Sequence, residues 1–384
     1  MSSRTAQGVI DRLSASPALD VVFVSTSPLD GTYPGGFARR HGDFARAVSE
    51  QFRAHVLYLA SPRSPLGLFE EFPAPASLTS TTVRVDDDRR TLLPRHCVGP
   101  ALRWSGPNMV VPLTPNVAQL ALAADRATVV LEEAWERALP ASPRGWAERV
   151  LCARLYRGLG RAGHPIVAIT DREARYFRRR LPNDVIASPY GADPAWRADR
   201  QHGGRQVDVL VVGAVNRIEQ QVEGFVRELR ANAGTRSATC TIVGGDPRPG
   251  IVALEDEHTV VAGYVPEVRT HMAAARVVVV PTFTDIGIKT TVLQAWAAGA
   301  PVVTSRDVIG AIPDGARAAA VAVSSLPEMA AAVGRLLGDP GRAEALGVAG
   351  RELVATAFDA ERSSRAFTDV VAGTFARHTS GSST

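Results

Sequence analysis

The chain has 384 residues, of which 45% are hydrophobic and 21% charged, the balance of an ordinary soluble globular protein with room for two domains. Its formal net charge is +4, from 43 basic and 39 acidic residues. That is too small to argue for a nucleic-acid partner, and leaves acidic substrates or an anionic membrane surface as electrostatic options. Three scattered cysteines, Cys97, Cys152 and Cys240, exclude a disulfide framework and zinc spacing, and the eight histidines show no metal-ligand pairing.

Residues 1–18 read as a loose arm without the apolar stretch of a signal peptide. No apolar run reaches the ~18–20 residues of a membrane span, so a cytoplasmic protein is expected, with the inner membrane face as the place for any peripheral contact. Asp20 to Thr26 (DVVFVST) reads as a buried strand. Gly35-Gly36 precedes a helix with Arg39, Arg40 and His41 in its first turns, and a glycine pair lets backbone approach a ligand closely. The plainer alternative is a turn before a basic surface helix. His55 to Ala60 is a second strand, and residues 90–126 are expected to hold one or two helices.

Ala127 to Glu133 (ATVVLEE) is another buried strand, followed by Ala134 and Trp135. Ligands of open parallel sheets bind beyond the carboxyl ends of strands, so Glu132 and Glu133 stand where an acid, a base or a hydroxyl-binding group is useful. Acidic residues also suit an ordinary helix start. Arg144 to Arg161 is a basic amphipathic helix, which either packs on a sheet or lies on a membrane surface. The polar stretch from Ala195 to Gln206 reads as an interdomain linker. Strands and helices alternate again from Val207 onward.

The fold class that follows is α/β, with two doubly wound, Rossmann-like domains facing a cleft. The N-terminal domain is expected over 19–195, completed by a C-terminal helix over 360–378, and the C-terminal domain over 205–358. Dinucleotide, P-loop and nucleophile-elbow motifs are missing.

The densest signal is RVVVVPTFTDIGIKTTVLQAWAAGAPVVTS, Arg276 to Ser305, which reads as strand, loop, helix, turn and strand. Gly287 is expected to open the helix, which places Lys289 in its first turn. A cation there is disfavoured by the helix dipole unless an anion such as a diphosphate sits on the free N–H groups.

This stretch resembles the Gly-Ile-Lys loop subgroup of glycosyltransferase family 4, a family of GT-B fold. GGFARRH after the first strand, SPYGADP, VVGAVNR and VAGYVPEV match in the right order, so the resemblance covers most of the chain. It implies a nucleoside-diphosphate sugar as co-substrate, held mainly by the second domain, with no metal and no further cofactor. The transfer it implies retains the anomeric configuration.

On this resemblance Lys289 and Arg217 meet the diphosphate with the N–H groups of Gly287, Ile288, Thr290 and Thr291. Gly35 and Gly36 close over the phosphates. Gly213 precedes Arg217, Gly263-Tyr264-Val265 meets the base, and Gln294 binds the ribose. Arg39, His41 and Trp135 lie on the acceptor side, where a glycan, a lipid-linked intermediate or a secondary metabolite is expected. The family carries two glutamates where this chain has Ile286 and Gln294, and Asp285 is the nearest substitute for the first. The usual histidine near residue 131 is replaced by Glu132 and Glu133. These departures motivate one alternative, a non-catalytic binding subunit, and a sugar-nucleotide epimerase on the same fold is the other.

Overall fold

The computed structural model describes residues 3–26, 29, 36–60, 78–84, 92–93, 97–98, 103–113, 115–122, 124, 128–132, 137, 139, 141–188, 190–192, 207–213, 215, 218–284, 287–312 and 315–380. The chain forms two compact units, Met1–Pro189 with Glu361–Thr384, and Tyr190–Ala360.

The first unit begins with helix α1 (Ser3–Ser14), then strand β1 (Val21–Ser25), α2 (Gly36–Ser49), β2 (Ala54–Ala60) and β3 (Thr79–Arg84). A short antiparallel pair, β4 (Leu92–Leu93) and β5 (Cys97–Val98), precedes β6 (Met109–Pro112) and a 3-10 turn over Pro115–Leu120. There follow β7 (Val130–Glu132), α3 (Pro143–Ala162), β8 (Ile166–Ala168), α4 (Asp171–Arg178) and β9 (Val185–Ala187). The strands form a parallel sheet of order β3-β2-β1-β6 and a second parallel sheet of order β7-β8-β9. One core spans both, since Val21, Phe23 and Tyr58 pack with Val129, Leu131 and Val167.

Two expectations are corrected here. The N-terminal segment is an ordered helix rather than a loose arm. Ala6, Val9, Ile10 and Leu13 recur at helical spacing and pack with Val22, Leu57 and Trp104. Gln7 fixes it further: its Nε2 donates to the Arg103 carbonyl and its Oε1 accepts from the Arg103 N–H, both at 2.9 Å. The region 90–126 contains strand β6 where only helices were expected. Met109-Val110-Val111 pairs in register with Val21-Val22-Phe23, and Pro112, which has no N–H, is tolerated because β6 is an edge strand.

The second unit holds β10 (Val207–Val212), α5 (Glu219–Ala231), β11 (Cys240–Val243), α6 (Pro249–Val252), β12 (Thr259–Gly263), α7 (Val268–Ala274) and β13 (Ala275–Val280). It continues with α8 (Thr290–Ala297), β14 (Val302–Ser305), α9 (Arg306–Gly310), β15 (Ala320–Val323), α10 (Leu326–Gly338) and α11 (Pro340–Ala357). Its sheet is parallel throughout, in the order β12-β11-β10-β13-β14-β15. The valine runs of β10 and β13 are buried over their last four residues, as strands covered on both faces by helices must be.

The last helix, α12 (Ala360–Ser380), belongs to the first unit. Phe367 and Val371 enter its core, and the Phe367 ring stacks on Phe44 of α2 at 4.4 Å between centroids. The linker expected from Ala195 to Gln206 lies outside the described residues.

Candidate functional site

In the second sheet the strand order reverses between β10 and β13, so crossovers leave these neighbours in opposite directions. The gap at their carboxyl ends is the place where such sheets take ligands. Around it the backbone is built from glycine. Gly213 follows β10 at φ 149°, and its N–H donates to the Val243 carbonyl at 3.2 Å. Gly244 follows β11, and its N–H donates to Gly263, the last residue of β12, at 2.8 Å. Gly263 has φ 64°. A β-carbon on Gly213, Gly245 or Gly263 would meet nothing within 4 Å, so the row of strand ends faces open space. Beyond it Asp246 adopts φ 48°, a conformation that aspartate tolerates better than most residues. Tyr264 is 59% exposed at the end of the row, and Val265 is half-buried.

On the other side of the gap β13 ends at the buried Pro281. Gly287 then turns the chain at φ 59°, Ile288 is buried, and α8 starts at Thr290. Lys289 is therefore the residue before the helix rather than part of its first turn, because the left-handed Gly287 delays helix entry. Its carbonyl accepts from Val292 N–H at 2.8 Å, and its half-buried side chain offers no oxygen to cap the first turn. The face that α8 leaves partly open consists of Thr290, Thr291 and Gln294, while Val292, Leu293, Ala295, Trp296 and Ala297 are buried.

The helix is held rigidly. Trp296 Nε1–H donates to the Ala319 carbonyl at 2.8 Å. At its end Gly299 N–H donates to Trp296 O and Ala300 N–H to Ala295 O, a Schellman closure with Gly299 at φ 69°. An uncapped helix start, a cation and partly open hydroxyl and amide groups together can bind a compact anion and an adjoining polar group.

A compositional signal overlooked in the sequence reinforces this. Lys289 is the only lysine in the chain; the other 42 basic residues (43 − 1) are arginine. Its ammonium is a compact point charge, where the arginines of the chain carry planar guanidinium forks. Gly244 was also missed. The signal for it was the Gly-Gly-Asp that directly follows β11.

In the first unit Gly36 opens α2, and Arg39 lies in its first turn. Arg40 is buried; its guanidinium donates to the Ser188 carbonyl at 2.9 Å and lies 4.8 Å from the Phe44 ring centroid. His41 is fully buried, and burial, with the Arg40 charge adding to it, holds its pKa well below the usual imidazole value. It is a neutral ring without solvent access, which limits direct contact with an acceptor. Glu132 is the last residue of β7, at the carboxyl edge of its sheet. Gly35, Glu133, Trp135, Arg217 and Asp285 lie outside the described residues, as do the side chains of Arg39 and Glu132. Among the described residues no three His, Cys, Asp or Glu cluster as metal ligands.

Residues 206–339 match a family model described as glycosyl transferases group 1. No curated protein matches the chain in sequence. Among solved structures the chain is similar to Alr3699/HepE of Anabaena, solved with UDP and glucose, at a TM-score of 0.66 and 13% identity over 92% of this chain and 99% of that one. It is similar to the sucrose-phosphate synthase of Thermosynechococcus elongatus, at 0.67 and 17% over 93% and 99%. WaaG, a glycosyltransferase involved in lipopolysaccharide biosynthesis, aligns at 0.61 and 16% over 92% and 100%. The chain thus has the GT-B fold of two Rossmann-like units.

Proposed function

We propose that the chain is a glycosyltransferase that moves a sugar from a nucleoside-diphosphate sugar to an acceptor hydroxyl. The observation that carries this reading is the sole lysine, placed before an uncapped helix at the switch point of a doubly wound sheet. That helix lies within the segment matching the glycosyltransferase model. HepE has been solved with UDP and with UDP-glucose, which makes uridine nucleotides the first donors to try.

In this reading the base and ribose lie along the glycine row toward Tyr264 and Gln294. The diphosphate meets the start of α8, with Lys289 and Arg217 as cations. The acceptor oxygen forms its bond to the anomeric carbon as the bond to the diphosphate breaks. The departing phosphate oxygen takes the acceptor proton, so the step needs no enzyme nucleophile and retains configuration. The helix start and the two cations carry the developing charge without a metal. Gln294 in place of a carboxylate weakens the hold on ribose by about 1 kcal/mol, since the hydrogen bond loses its charge assistance. The acceptor is a glycan, a lipid-linked intermediate or a secondary metabolite.

The test is a thermal-shift screen over nucleoside diphosphates and their sugars. A ligand at 100 times its Kd stabilises by about 2.7 kcal/mol, a shift readily measured. No stabilisation by any of them would sink the proposal. Ile286 and Gln294 stand at the changed carboxylate positions, and binding without turnover on any donor–acceptor pair assigns a non-catalytic subunit. Donor conversion without acceptor assigns an epimerase.

A further inference from the structure

Helices α3 and α4 follow consecutive strands of the sheet β7-β8-β9, so right-handed crossovers place both on the same face of it. They pack side by side, with Tyr156 and Phe177 edge to face at 5.3 Å. The core beneath them contains Cys152, Leu155, Leu159 and Ala174.

The outward side of α3 has a different composition. Trp146, Ala153, Arg154, Arg157 and Arg161 are exposed and fall within an arc of about 100° at 3.6 residues per turn. Trp146 is 68% exposed. Leu122, 39% exposed, lies against the same helix, where a β-carbon on Gly158 would come 2.9 Å from its methyl group. The one acid of α3, Glu148, falls outside this arc. On the neighbouring α4, Arg175 and Arg179 are also exposed. Among the described residues none forms an ion pair with Arg154, Arg157, Arg161, Arg175 or Arg179.

An exposed indole and an aliphatic side chain beside uncompensated arginines form an amphipathic surface. We propose that this face docks on an anionic lipid bilayer. Trp146 and Leu122 enter the headgroup layer, and Arg154, Arg157 and Arg161 meet lipid phosphates. Aliphatic Leu122 and the alanine offer nothing to read a base, and the whole-chain charge of only +4 is weak for a nucleic-acid binder. No described helix is long and apolar enough to cross a membrane, so the contact is peripheral. The inference needs no donor and stands apart from the transferase reading.

The full chain is floated with vesicles of phosphatidylcholine alone, or with a third of phosphatidylglycerol. It is expected to bind the anionic vesicles only, and less as salt rises. The triple variant R154Q/R157Q/R161Q partitions about a hundredfold more weakly, and W146S severalfold more weakly. Both keep the parent melting temperature, because all four side chains are exposed. A folded chain that floats with neither vesicle overturns the proposal, as does a triple variant that binds like the parent. Binding to poly(U) as tight as to the anionic vesicles, and indifferent to W146S, reassigns the face to nucleic acid and overturns it too.

Discussion

The carbonyl oxygen of Gly213 lies 2.4 Å from where a β-carbon on Gly244 would be, so two adjacent strands end in a contact that only glycine permits. The γ-methyls of Val215 stand at 2.8 and 2.9 Å from the same point. Neither a carbonyl nor a β-branched side chain gives way cheaply. Gly244→Ala should therefore cost about 1–3 kcal/mol of stability and push the glycine row apart. Gly245→Ala, with nothing within 4 Å, should change stability by less than about 0.5 kcal/mol. Urea titration of both variants decides it, and equal losses would mean that the row is not tightly built.

Lys289→Ala should lower kcat/KM for the best donor by at least about 2 kcal/mol, roughly thirtyfold, the scale of losing one donor to a developing anion. Lys289→Arg keeps the charge without the compact ammonium and should stay impaired. Because Lys289 is the only side-chain amine, an amine-selective reagent has one such target in the chain. A bound nucleoside diphosphate should protect it, read by mass spectrometry of the labelled peptide. Labelling at the same rate with and without nucleotide would remove Lys289 from the anion site.

The pH dependence of stability is set on its acid side by histidines. Burial lowers the pKa of His41, His55 and His164; at His164 the bond to the Ala121 carbonyl opposes it. A depressed histidine binds its proton more weakly in the fold than in the unfolded chain. Its contribution is thus complete above the usual value of 6.5 and is lost as pH falls below that. Each such group adds a slope of at most about 1.4 kcal/mol per pH unit. The Asp20 carboxylate is held low chiefly by its hydrogen bond from Arg53, while burial raises the pKa of Asp208 and the bonds from Arg276 and Thr239 together outweigh it; both fail only below their usual 3.8. Melting temperature should accordingly be flat from pH 8 to about 7 and fall steadily from about 6.5 to 4.5. A curve flat down to pH 4.5 would contradict the buried, neutral state of these rings.

Phe367→Ala removes the ring stacked on Phe44 and should destabilise the first unit by about 3–5 kcal/mol. Denaturant unfolding followed by two probes, one in each unit, should show the first transition moved and the second unchanged. Movement of both together would show that the units unfold as one.

Much of this architecture can be read from residues alone, for a simple reason. Strands buried on both faces must be continuous apolar runs, and VVFVS, VDVLVV and ARVVVV announce themselves. Gly299 before Pro301 marks the end of α8 equally well. What eluded the sequence depends on partners far along the chain. The apolar residues of α1 are few, and which surface they cover is decided by Trp104 and Leu57 far along the chain. Strand β6 is four residues with a proline, recognisable only once β1 is beside it. At the site, Lys289 stands out in the sequence because a cation at a helix start is locally anomalous, while its place before the helix depends on the left-handed Gly287. Ile286 and Gln294 give no such signal, because neither violates a local rule.

The return of α12 to the first unit has a consequence for biosynthesis. A ribosome makes Val21, Phe44 and Tyr58 well before Phe367 and Val371, so the hydrophobic surface they share stays open until α12 emerges. The second unit is one uninterrupted segment, Tyr190–Ala360, and is complete before that. Domains made first usually fold first. Here the order is inverted: the half made later can mature on the nascent chain, while the half made earlier waits, exposed to chaperones and to aggregation, until α12 has been made.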